Sequence, residues 1–161
     1  MKDTVALIEE LMNTYANDLK RTAYVMLGDH ALAEDVTQET FISFYKNIHQ
    51  FRGQSSYKTY LYRIMVNHAK MHWRRRSSSE LAGFDEKVTF EEELVSVLDL
   101  NTALRNIKPA YSEVLTLYYY SQYSVDEIAS ILDLSPSNVK MRLKRGREDM
   151  KKKLKEGTQH E

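Results

Sequence analysis

The chain has 161 residues, of which 42% are hydrophobic, with equal numbers of acidic and basic side chains and no cysteine. This length allows one domain or two small ones, and the hydrophobic content is sufficient for real cores. Without cysteine the chain has no disulfide, no thiol nucleophile and no thiolate zinc site. It has no run of about 18 apolar residues, as a membrane span requires, and its first residues do not read as a signal peptide. We therefore expect a cytoplasmic protein.

Charge is unevenly distributed along the chain although it sums to zero. Residues 41–79 contain eight Lys or Arg and no acid, residues 80–93 contain six acids and one Lys, and residues 134–155 contain nine Lys or Arg and two acids. Clustered positive charge is typical of nucleic-acid binding. Two basic blocks around an acidic stretch indicate two nucleic-acid-facing modules, with an interdomain linker over residues 77–93.

The first two predicted helices meet at a glycine. Apolar residues recur at helical spacing over residues 4–27, and Gly28 followed by Asp29 is a typical helix stop and N-cap. The next helix, about residues 31–48, has a mostly acidic or amide outward face that also carries one isoleucine. An apolar side chain in such surroundings suggests a protein-binding spot, although single exposed apolar residues are also ordinary. This face contains Asp35, Gln38, Glu39 and Ile42.

The helix predicted over residues 57–76 follows a loop at residues 51–57 and carries one basic stripe between two apolar stripes. The stripe contains Arg63, Asn67, Lys70 and Arg74, with Tyr60 beside it. Such a helix suits a single-stranded nucleic acid, because Lys and Arg hold phosphates while an aromatic or amide side chain engages an unstacked base. A solvated basic face is the alternative interpretation.

Residues 124–147 predict two short helices joined by a tight turn. Ser124 and Glu127 have the spacing of a capping box, and Ser135 followed by Pro136 marks the start of the second helix. One face of that second helix is apolar and the opposite face is basic. The pattern predicts a helix-turn-helix whose second helix enters a DNA major groove, with a surface helix pair as the alternative. The candidate DNA contacts are Ser137, Asn138, Lys140, Met141, Lys144 and Arg145.

Two further helices, at about residues 94–106 and 110–122, are expected to complete a second core. The apolar residues predicted for this core are Leu98, Leu104, Ile107, Val114, Leu115 and Tyr118. The run of three tyrosines at residues 118–120 is interpreted as core and rim rather than as a platform for stacking bases.

The two histidines at His68 and His72 have the spacing of metal ligands on a helix. The HExxH pattern is absent because Ala69 takes the place of its glutamate, and no third ligand is evident. A glycine-rich phosphate loop is absent as well. We therefore expect neither a metal nor a cofactor.

The order of these motifs resembles an extracytoplasmic-function (ECF) sigma factor of bacterial RNA polymerase, in the sigma-70 family. The likeness spans about residues 4–155 and rests on three segments. They are AEDVTQETFISFYKNI, then FRGQSSYKTYLYRIMVNHAK, and after the acidic stretch YSVDEIASILDLSPSNVKMRLKRGRE. Their most specific parts are D-x-x-Q-E-x-F from Asp35, F-R-G from Phe51 with the following L-Y-R-I-x-x-N-x-A-K, and V-K-x-R-x-x-R-x-R from Val139. Tyr60 stands where the family often has Trp.

The resemblance implies an all-α protein of two small helical domains, joined by a flexible acidic linker, with the helix-turn-helix in the second. Residues 1–76 would be sigma domain 2, residues 77–93 the linker, and residues 94–161 sigma domain 4. Such proteins catalyse nothing and direct core RNA polymerase to promoters. Domain 2 would dock on the β′ clamp helices and open the −10 element, while domain 4 would read the −35 element as duplex and touch the β flap. An anti-sigma factor usually holds such proteins inactive, so any membrane contact would be indirect, and no small-molecule substrate is implied.

The resemblance also implies which residues of this chain make each contact, because they occupy the matching positions of the family's motifs. The polymerase contacts would be Asp35, Gln38, Glu39 and Ile42. The −10 contacts would be Phe51, Arg52, Ser55, Tyr57, Lys58, Tyr60, Arg63, Asn67, Lys70 and Arg74. The −35 contacts would be Ser137, Asn138, Lys140, Met141, Lys144 and Arg145. Met141 and Lys144 occupy positions that vary between members, so promoter preference does not transfer.

Two competing hypotheses remain at this point. A helix-turn-helix repressor or activator acting without stable polymerase binding explains residues 124–147 but not the basic helix at residues 57–76. A metal-dependent enzyme built on His68 and His72 is the third possibility. A gel shift with and without core polymerase distinguishes the first two, and metal analysis of the purified protein tests the third.

Overall fold

The computed structural model describes residues 2–78 and 95–159, and within these ranges the chain is helical apart from short connections. No strand occurs in the described ranges, so the predicted all-α class is confirmed. In chain order the elements are α1 (Lys2–Leu27), α2 (His30–Asn47) with a 3₁₀ turn (Ile48–Gln50), α3 (Tyr57–Ser78), α4 (Val95–Arg105), α5 (Pro109–Leu115) continued by a π-helical turn (Thr116–Tyr120), α6 (Val125–Leu132) and α7 (Pro136–Gln159). The predicted linker falls almost wholly outside the described residues. None of the helices described here is both long and apolar enough to span a bilayer.

Helices α1, α2 and α3 pack together as an N-terminal unit. Its interior contains fully buried Leu19, Phe44 and Leu61. Gly28 ends α1 at φ +72°, a left-handed conformation that glycine adopts without steric penalty. Asp29 then caps α2 by accepting a hydrogen bond of 3.0 Å from the backbone amide of Leu32. The helix stop and cap predicted from sequence are confirmed.

Helices α4 to α7 form a C-terminal unit that contains the predicted helix-turn-helix. The hydroxyl of Ser124 accepts from the amide of Glu127 at 3.1 Å, and the Glu127 carboxylate accepts from the amide of Ser124 at 2.8 Å. This is the capping box that the sequence predicts. Asp133 ends α6 in the left-handed region at φ +58°, and the hydroxyl of Ser135 caps α7. The two helices therefore begin where their capping residues place them.

The tyrosine run at residues 118–120 departs from the prediction. Tyr118 is exposed, so its assignment to the second core is wrong, and Tyr119 and Tyr120 are exposed as well. The cause is the π-helical turn, in which the amide of Ser121 donates to the carbonyl of Thr116 at 3.1 Å. A π turn holds an extra residue, so side chains beyond it rotate to a different face of the helix. The predicted core residues Ile107, Val114 and Leu115 are buried, Leu104 is half-buried, and the side chain of Leu98 lies outside those described.

The two units pack against each other in one closed arrangement. Helix α3 contacts α6, and α1 contacts both α4 and the π-helical turn. The rings of Tyr62 and Tyr123 meet edge to face with centroids 5.0 Å apart, and the hydroxyls of Thr22 and Ser121 form a hydrogen bond of 3.0 Å. This packing determines which parts of the predicted DNA-binding faces remain accessible.

Candidate nucleic-acid interface

A polar cavity of about 320 Å³ opens at the N-terminal end of α3. It is built from the loop after α2 and from the first turns of α3, so most of its walls belong to the loop predicted to hold an unpaired base. The lining residues are Gln50, Phe51, Arg52, Gln54, Ser55, Tyr60 and Arg63. Five of the ten predicted −10 residues, including Arg63 on α3, thus belong to the wall of a single cavity.

Aromatic rings hold this loop in place. Phe51 stacks on Tyr57 at a centroid distance of 5.0 Å and lies 4.9 Å from Tyr60. Phe44, which is fully buried, meets both tyrosines edge-on from below. Gly53 adopts φ +71° at the tip of the loop. Because every nucleobase has a π-face that stacks on an aromatic ring, a ring-walled polar cavity is suited to an unstacked base.

Three half-buried cations of α3 contact the C-terminal unit. Arg63 donates from its guanidinium to the backbone carbonyls of Ser130 and, at 3.4 Å, Ile131. Both carbonyls belong to the last turn of α6, where backbone acceptors have no helical partner and the helix dipole is negative. The ammonium of Lys58 lies 4.9 Å from the ring centre of Tyr123, a cation–π distance.

The third cation, Lys70, is paired with a buried carboxylate. Its ammonium lies 3.1 Å from Glu113, whose side chain is 3% exposed, and the guanidinium of Arg142 lies 3.9 Å from the same carboxylate. Burial raises the pKa of Glu113 above its usual range, although the two cations act in the opposite direction. Glu113 therefore joins α3 of one unit to α7 of the other.

Sequence reasoning did not single out Glu113. The available signal was a lone acid inside the otherwise uncharged segment YSEVLTL, since a charged residue at a core position needs a charged partner. The partner could not be identified, because Lys70 is 43 positions earlier in the chain.

The remaining members of the predicted stripe behave differently. Asn67 and Arg74 are exposed, as is Arg52 in the loop. The single line expected along α3 is therefore divided into an outward part and a part covered by the C-terminal unit.

The outer face of α7 is open. Ser137, Lys140, Lys144 and Arg145 are exposed, as the sequence predicts, while Asn138 and Met141 are half-buried. Behind this face, Gly146 allows a close approach to α5, since a Cβ at this position would lie 3.0 Å from a methyl group of Leu115. This close packing of α7 against α5 fixes the direction in which the basic face points.

The α2 face contains Asp35, Gln38 and Ile42 as exposed residues and Glu39 as a half-buried one. Glu39 lies 3.4 Å from the Nδ1 atom of His68 and 3.3 Å from the Nε2 atom of His72. The second ring nitrogen of His68 is 3.0 Å from the hydroxyl of Ser43. The two histidines thus hold the Glu39 side chain against α3. Over residues 2–78 and 95–159, no group of three or more His, Asp or Glu side chains is arranged to hold a metal ion.

A mostly apolar groove of about 530 Å³ runs beside this face between α1 and α2. Three of its lining residues, Met12, Ile42 and Tyr45, are large exposed hydrophobic side chains. A groove of this shape and polarity suits an amphipathic helix.

Comparison with known families and proteins accounts for both units. Residues 11–79 match sigma-70 region 2, and residues 98–150 match sigma-70 region 4. The chain is 31% identical over 152 residues to the ECF RNA polymerase sigma factor SigM of Bacillus subtilis, a match that covers 89% of this chain and 93% of that protein. It is also 30% identical over 168 residues to the RNA polymerase sigma factor YlaC of Bacillus subtilis, covering 96% and 95% of the two chains.

The chain belongs to the ECF sigma factors of the sigma-70 family. The family resemblance expected from the motifs is therefore confirmed, and this ECF sigma factor directs transcription initiation. Sigma factors are regulatory DNA-binding subunits of the polymerase and not enzymes by themselves. The alternative of a repressor or activator acting without polymerase receives no support from these matches.

Solved structures show the same fold for this ECF sigma factor. The sigma factor RpoE of Bartonella quintana, in complex with the anti-sigma factor NepR, superposes with a TM-score of 0.73 at 22% identity, covering 91% of this chain and 96% of that one. CnrH, in complex with the cytosolic domain of CnrY, gives a TM-score of 0.72 at 23% identity, covering 92% and 87%.

Proposed function

We propose that this sigma factor binds core RNA polymerase through the exposed face of α2 and recognises promoters with two separate surfaces. The loop cavity and α3 take the −10 element as a melted strand, and the outer face of α7 takes the −35 element as duplex. The observation that carries this proposal is the ring-walled polar cavity adjoining the basic helix α3, because such a cavity suits an extruded base and a basic helix suits the phosphates beside it.

The −10 assignment follows from the cost of opening DNA. Extruding a base from a duplex costs a few kcal/mol, so a protein that melts a promoter must return that free energy in the open complex. Phe51 and Tyr60 provide aromatic surface at the cavity, and the exposed amide of Asn67 can both donate to and accept from a base edge. The cations of α3 then hold the flanking phosphates.

The −35 assignment follows from the shape and charge of α7. A major groove about 12 Å wide admits one α-helix, and its base edges differ among all four base pairs. Lys140, Lys144 and Arg145 project from the exposed side of α7. The lysines suit phosphates, and Arg145 suits either a phosphate or the paired acceptors of guanine.

The polymerase assignment rests on α2. Its exposed face combines acids, an amide and Ile42, and the adjoining groove adds exposed apolar surface. Such mixed patches are typical of protein interfaces. The family resemblance implies that the β′ clamp helices are the partner of this face. Because RpoE of Bartonella quintana, which has the same fold, was solved with the anti-sigma factor NepR, we also propose that an anti-sigma factor binds this chain.

Promoter melting is the direct test of the −10 assignment. Asn67→Ala should reduce permanganate reactivity of thymines at the −10 element in the presence of core polymerase, and a pre-melted bubble template should partly rescue it. Asn13→Ala is the matched control, since Asn13 is an exposed amide on α1 away from the cavity. If Asn67→Ala gave wild-type permanganate reactivity on a closed linear promoter, the outward part of α3 would be a solvated face with no role in melting.

Polymerase binding is tested separately. Ile42→Asp should leave the fold intact by circular dichroism and weaken co-purification with core polymerase. Val5→Asp is the matched control, because Val5 and Ile42 are equally exposed at 53% and Val5 lies outside the groove lining. If a folded Ile42→Asp protein co-purified normally with core polymerase, this face of α2 would not be part of the polymerase interface.

A further inference from the structure

We propose that His68 and His72 are positioning residues for polymerase binding, because they hold the carboxylate of Glu39 in one direction on the exposed face of α2. This inference rests on the proposed contact between that face and core RNA polymerase. It assigns a role to two histidines of α3 that belong to none of the proposed contact sets.

Two residues from each of two neighbouring helices meet at the edge of the α2–α3 interface. Glu39 and Ser43 are four positions apart on α2, and His68 and His72 are four positions apart on α3. This spacing places both members of each pair on one face of their helix. The side chains of Glu39, His68 and His72 are 41%, 21% and 15% exposed. The cluster therefore lies at the rim of the interface, where a partner can reach the carboxylate.

Both imidazoles meet the same carboxylate oxygen. The Nε2 atom of His72 lies 3.3 Å from Oε1 of Glu39 in a hydrogen bond, and His72 is the donor because an ionised carboxylate can only accept. The Nδ1 atom of His68 lies 3.4 Å from the same oxygen, so a proton on Nδ1 avoids two facing lone pairs. The Nε2 atom of His68 then accepts from the hydroxyl of Ser43 at 3.0 Å. The Oε2 atom of Glu39 is bound by neither histidine, and we expect it to meet the polymerase.

The oriented carboxylate borders apolar surface. It belongs to a pocket of about 280 Å³ between α2 and α3. The lining residues are Glu39, Ile42, Ser43, His68, Met71, His72 and Arg75. Ile42 and Met71 are 53% and 40% exposed, and a partner that covers them also removes water from the carboxylate. Because a hydrogen bond is stronger in a medium of low dielectric constant, the pocket favours a partner that offers an N–H donor surrounded by apolar side chains.

Orientation before binding lowers the cost of binding. A glutamate on an exposed helix face has several rotamers, and an interface that fixes one of them loses conformational entropy. The two histidines already restrict Glu39 in the free protein, so less entropy remains to be lost when polymerase binds. Without the histidines, that loss falls on the binding step and lowers the affinity.

The affinity of the full chain for core RNA polymerase, measured by competition with labelled wild type, tests the inference. His68→Leu/His72→Leu removes both donors and should weaken binding about threefold to tenfold, the range expected for ordering one such side chain. His68→Asn/His72→Gln keeps a donor near each original nitrogen and should restore wild-type affinity. His49→Leu is the matched control, because His49 is an exposed histidine outside the pocket lining, and it should bind like wild type.

A double-mutant cycle distinguishes positioning from a general structural effect. Glu39→Ala should weaken polymerase binding, and adding His68→Leu/His72→Leu to it should cause little further loss, because the histidines no longer have a carboxylate to orient. Weaker packing between α2 and α3 would instead add its own loss to that of Glu39→Ala. Circular dichroism and duplex −35 binding check that each variant is folded. If the double leucine variant does not fold, His72→Leu and His72→Gln make the same comparison.

The outcomes separate this inference from the proposed function. Wild-type affinity of folded His68→Leu/His72→Leu overturns the inference. An equal loss with and without Glu39 also overturns it, as does a failure of His68→Asn/His72→Gln to restore binding. Wild-type affinity of Glu39→Ala overturns the proposed polymerase contact at Glu39, and the inference with it.

The imidazole nitrogen chemical shifts of the free protein give an independent test that needs no polymerase. Neutral His68 should carry its proton on Nδ1 and neutral His72 on Nε2, because these are the atoms that face Oε1 of Glu39. The preference of His68 should be lost in Glu39→Ala. A proton on Nε2 of neutral His68 in the wild type overturns the inference, since Nδ1 would then present a lone pair to the carboxylate.

Discussion

Two basic faces of this protein carry similar charge and meet different surroundings. Lys58, Arg63 and Lys70 on α3 contact acceptors of the C-terminal unit. The cations on the outer face of α7 project into solvent. A basic stripe in a sequence indicates attraction for anions, but whether that stripe is available depends on tertiary packing.

The difference arises from what lies behind and in front of each helix. Helix α7 uses its apolar side, with Val139, Leu143 and Gly146 buried, against its own unit, so its basic side must point outward. Helix α3 is covered on a second side as well, by α6 and by the buried acid Glu113. A helix buried on two sides has little surface left for a ligand until one neighbour moves.

The largest effect is expected from the recognition face of α7. Lys144→Ala/Arg145→Ala should weaken duplex −35 binding, because each lost base-edge pair costs about 1–3 kcal/mol and each lost phosphate contact lowers the salt slope by about one. The loss should already be measurable in the free protein, since this face is exposed there. Fluorescence anisotropy over a salt series measures it.

The control for that experiment removes equal charge from the N-terminal unit. Arg21→Ala/Lys46→Ala deletes two exposed cations of α1 and α2 and should leave −35 affinity unchanged. Wild-type affinity and salt slope in Lys144→Ala/Arg145→Ala would show that α7 does not enter the groove.

The next largest effect concerns the backing of α7. Gly146→Leu should destabilise the protein by about 1–3 kcal/mol, because overpacking forces its neighbours to shift, and a Cβ there would already lie 3.0 Å from Leu115 and 3.1 Å from Tyr111. Gly146→Ala should cost less, since alanine favours a helix over glycine by about 1 kcal/mol. Urea denaturation measures both. Equal stability of Gly146→Leu and wild type would mean that α7 does not lie this close to α5.

A smaller effect is expected at the start of α6, the helix that covers α3. Ser124→Ala removes the side-chain half of the capping box and should lower the free energy of unfolding by about 1 kcal/mol. Ser130→Ala is the matched control on the same helix, because it keeps the backbone carbonyl that Arg63 uses. Thermal and chemical melts compare them. Equal losses in the two variants would argue against the cap as the cause.

The smallest effect is a pH dependence carried by Glu113. Burial raises the pKa of this carboxyl above its ordinary value of 4.5, and Lys70 and Arg142 offset part of the increase. A raised pKa in the folded state gives stability that is fully present below pH 4.5 and is lost as the pH rises through the folded value. The free energy of unfolding of wild type should therefore fall relative to Glu113→Gln as the pH rises from 4.5. If the free energies of unfolding of wild type and Glu113→Gln changed in parallel with pH, Glu113 would titrate in the folded protein as it does in the unfolded chain.

Local features of this fold could be predicted from sequence because their physical causes are local. Gly28 with Asp29, Ser124 with Glu127, and Ser135 with Pro136 each act within a few residues, and helical periodicity identified the open face of α7. The π-helical turn was missed because it follows no periodic pattern, and it displaced Tyr118 from the core.

The covered part of α3 could not be predicted for a different reason. Arg63 meets carbonyls 67 and 68 positions later in the chain, and backbone carbonyls leave no trace in the residue types. Lys70 is a residue type suited to a DNA contact, and the residue type does not reveal that Glu113 lies against it. The sequence therefore identified the candidate residues of both faces, but it contained no signal for the closed arrangement that covers one of them.

The tether between the two units has a consequence for dosage. Closure is a contact within one molecule, so the effective concentration of the C-terminal unit at α3 is fixed by the connecting segment and does not depend on how much protein the cell makes. A separate inhibitor can be exceeded by overproducing its target, whereas every additional copy of this chain brings its own covering unit. Overexpression alone should therefore raise the amount of closed protein in proportion.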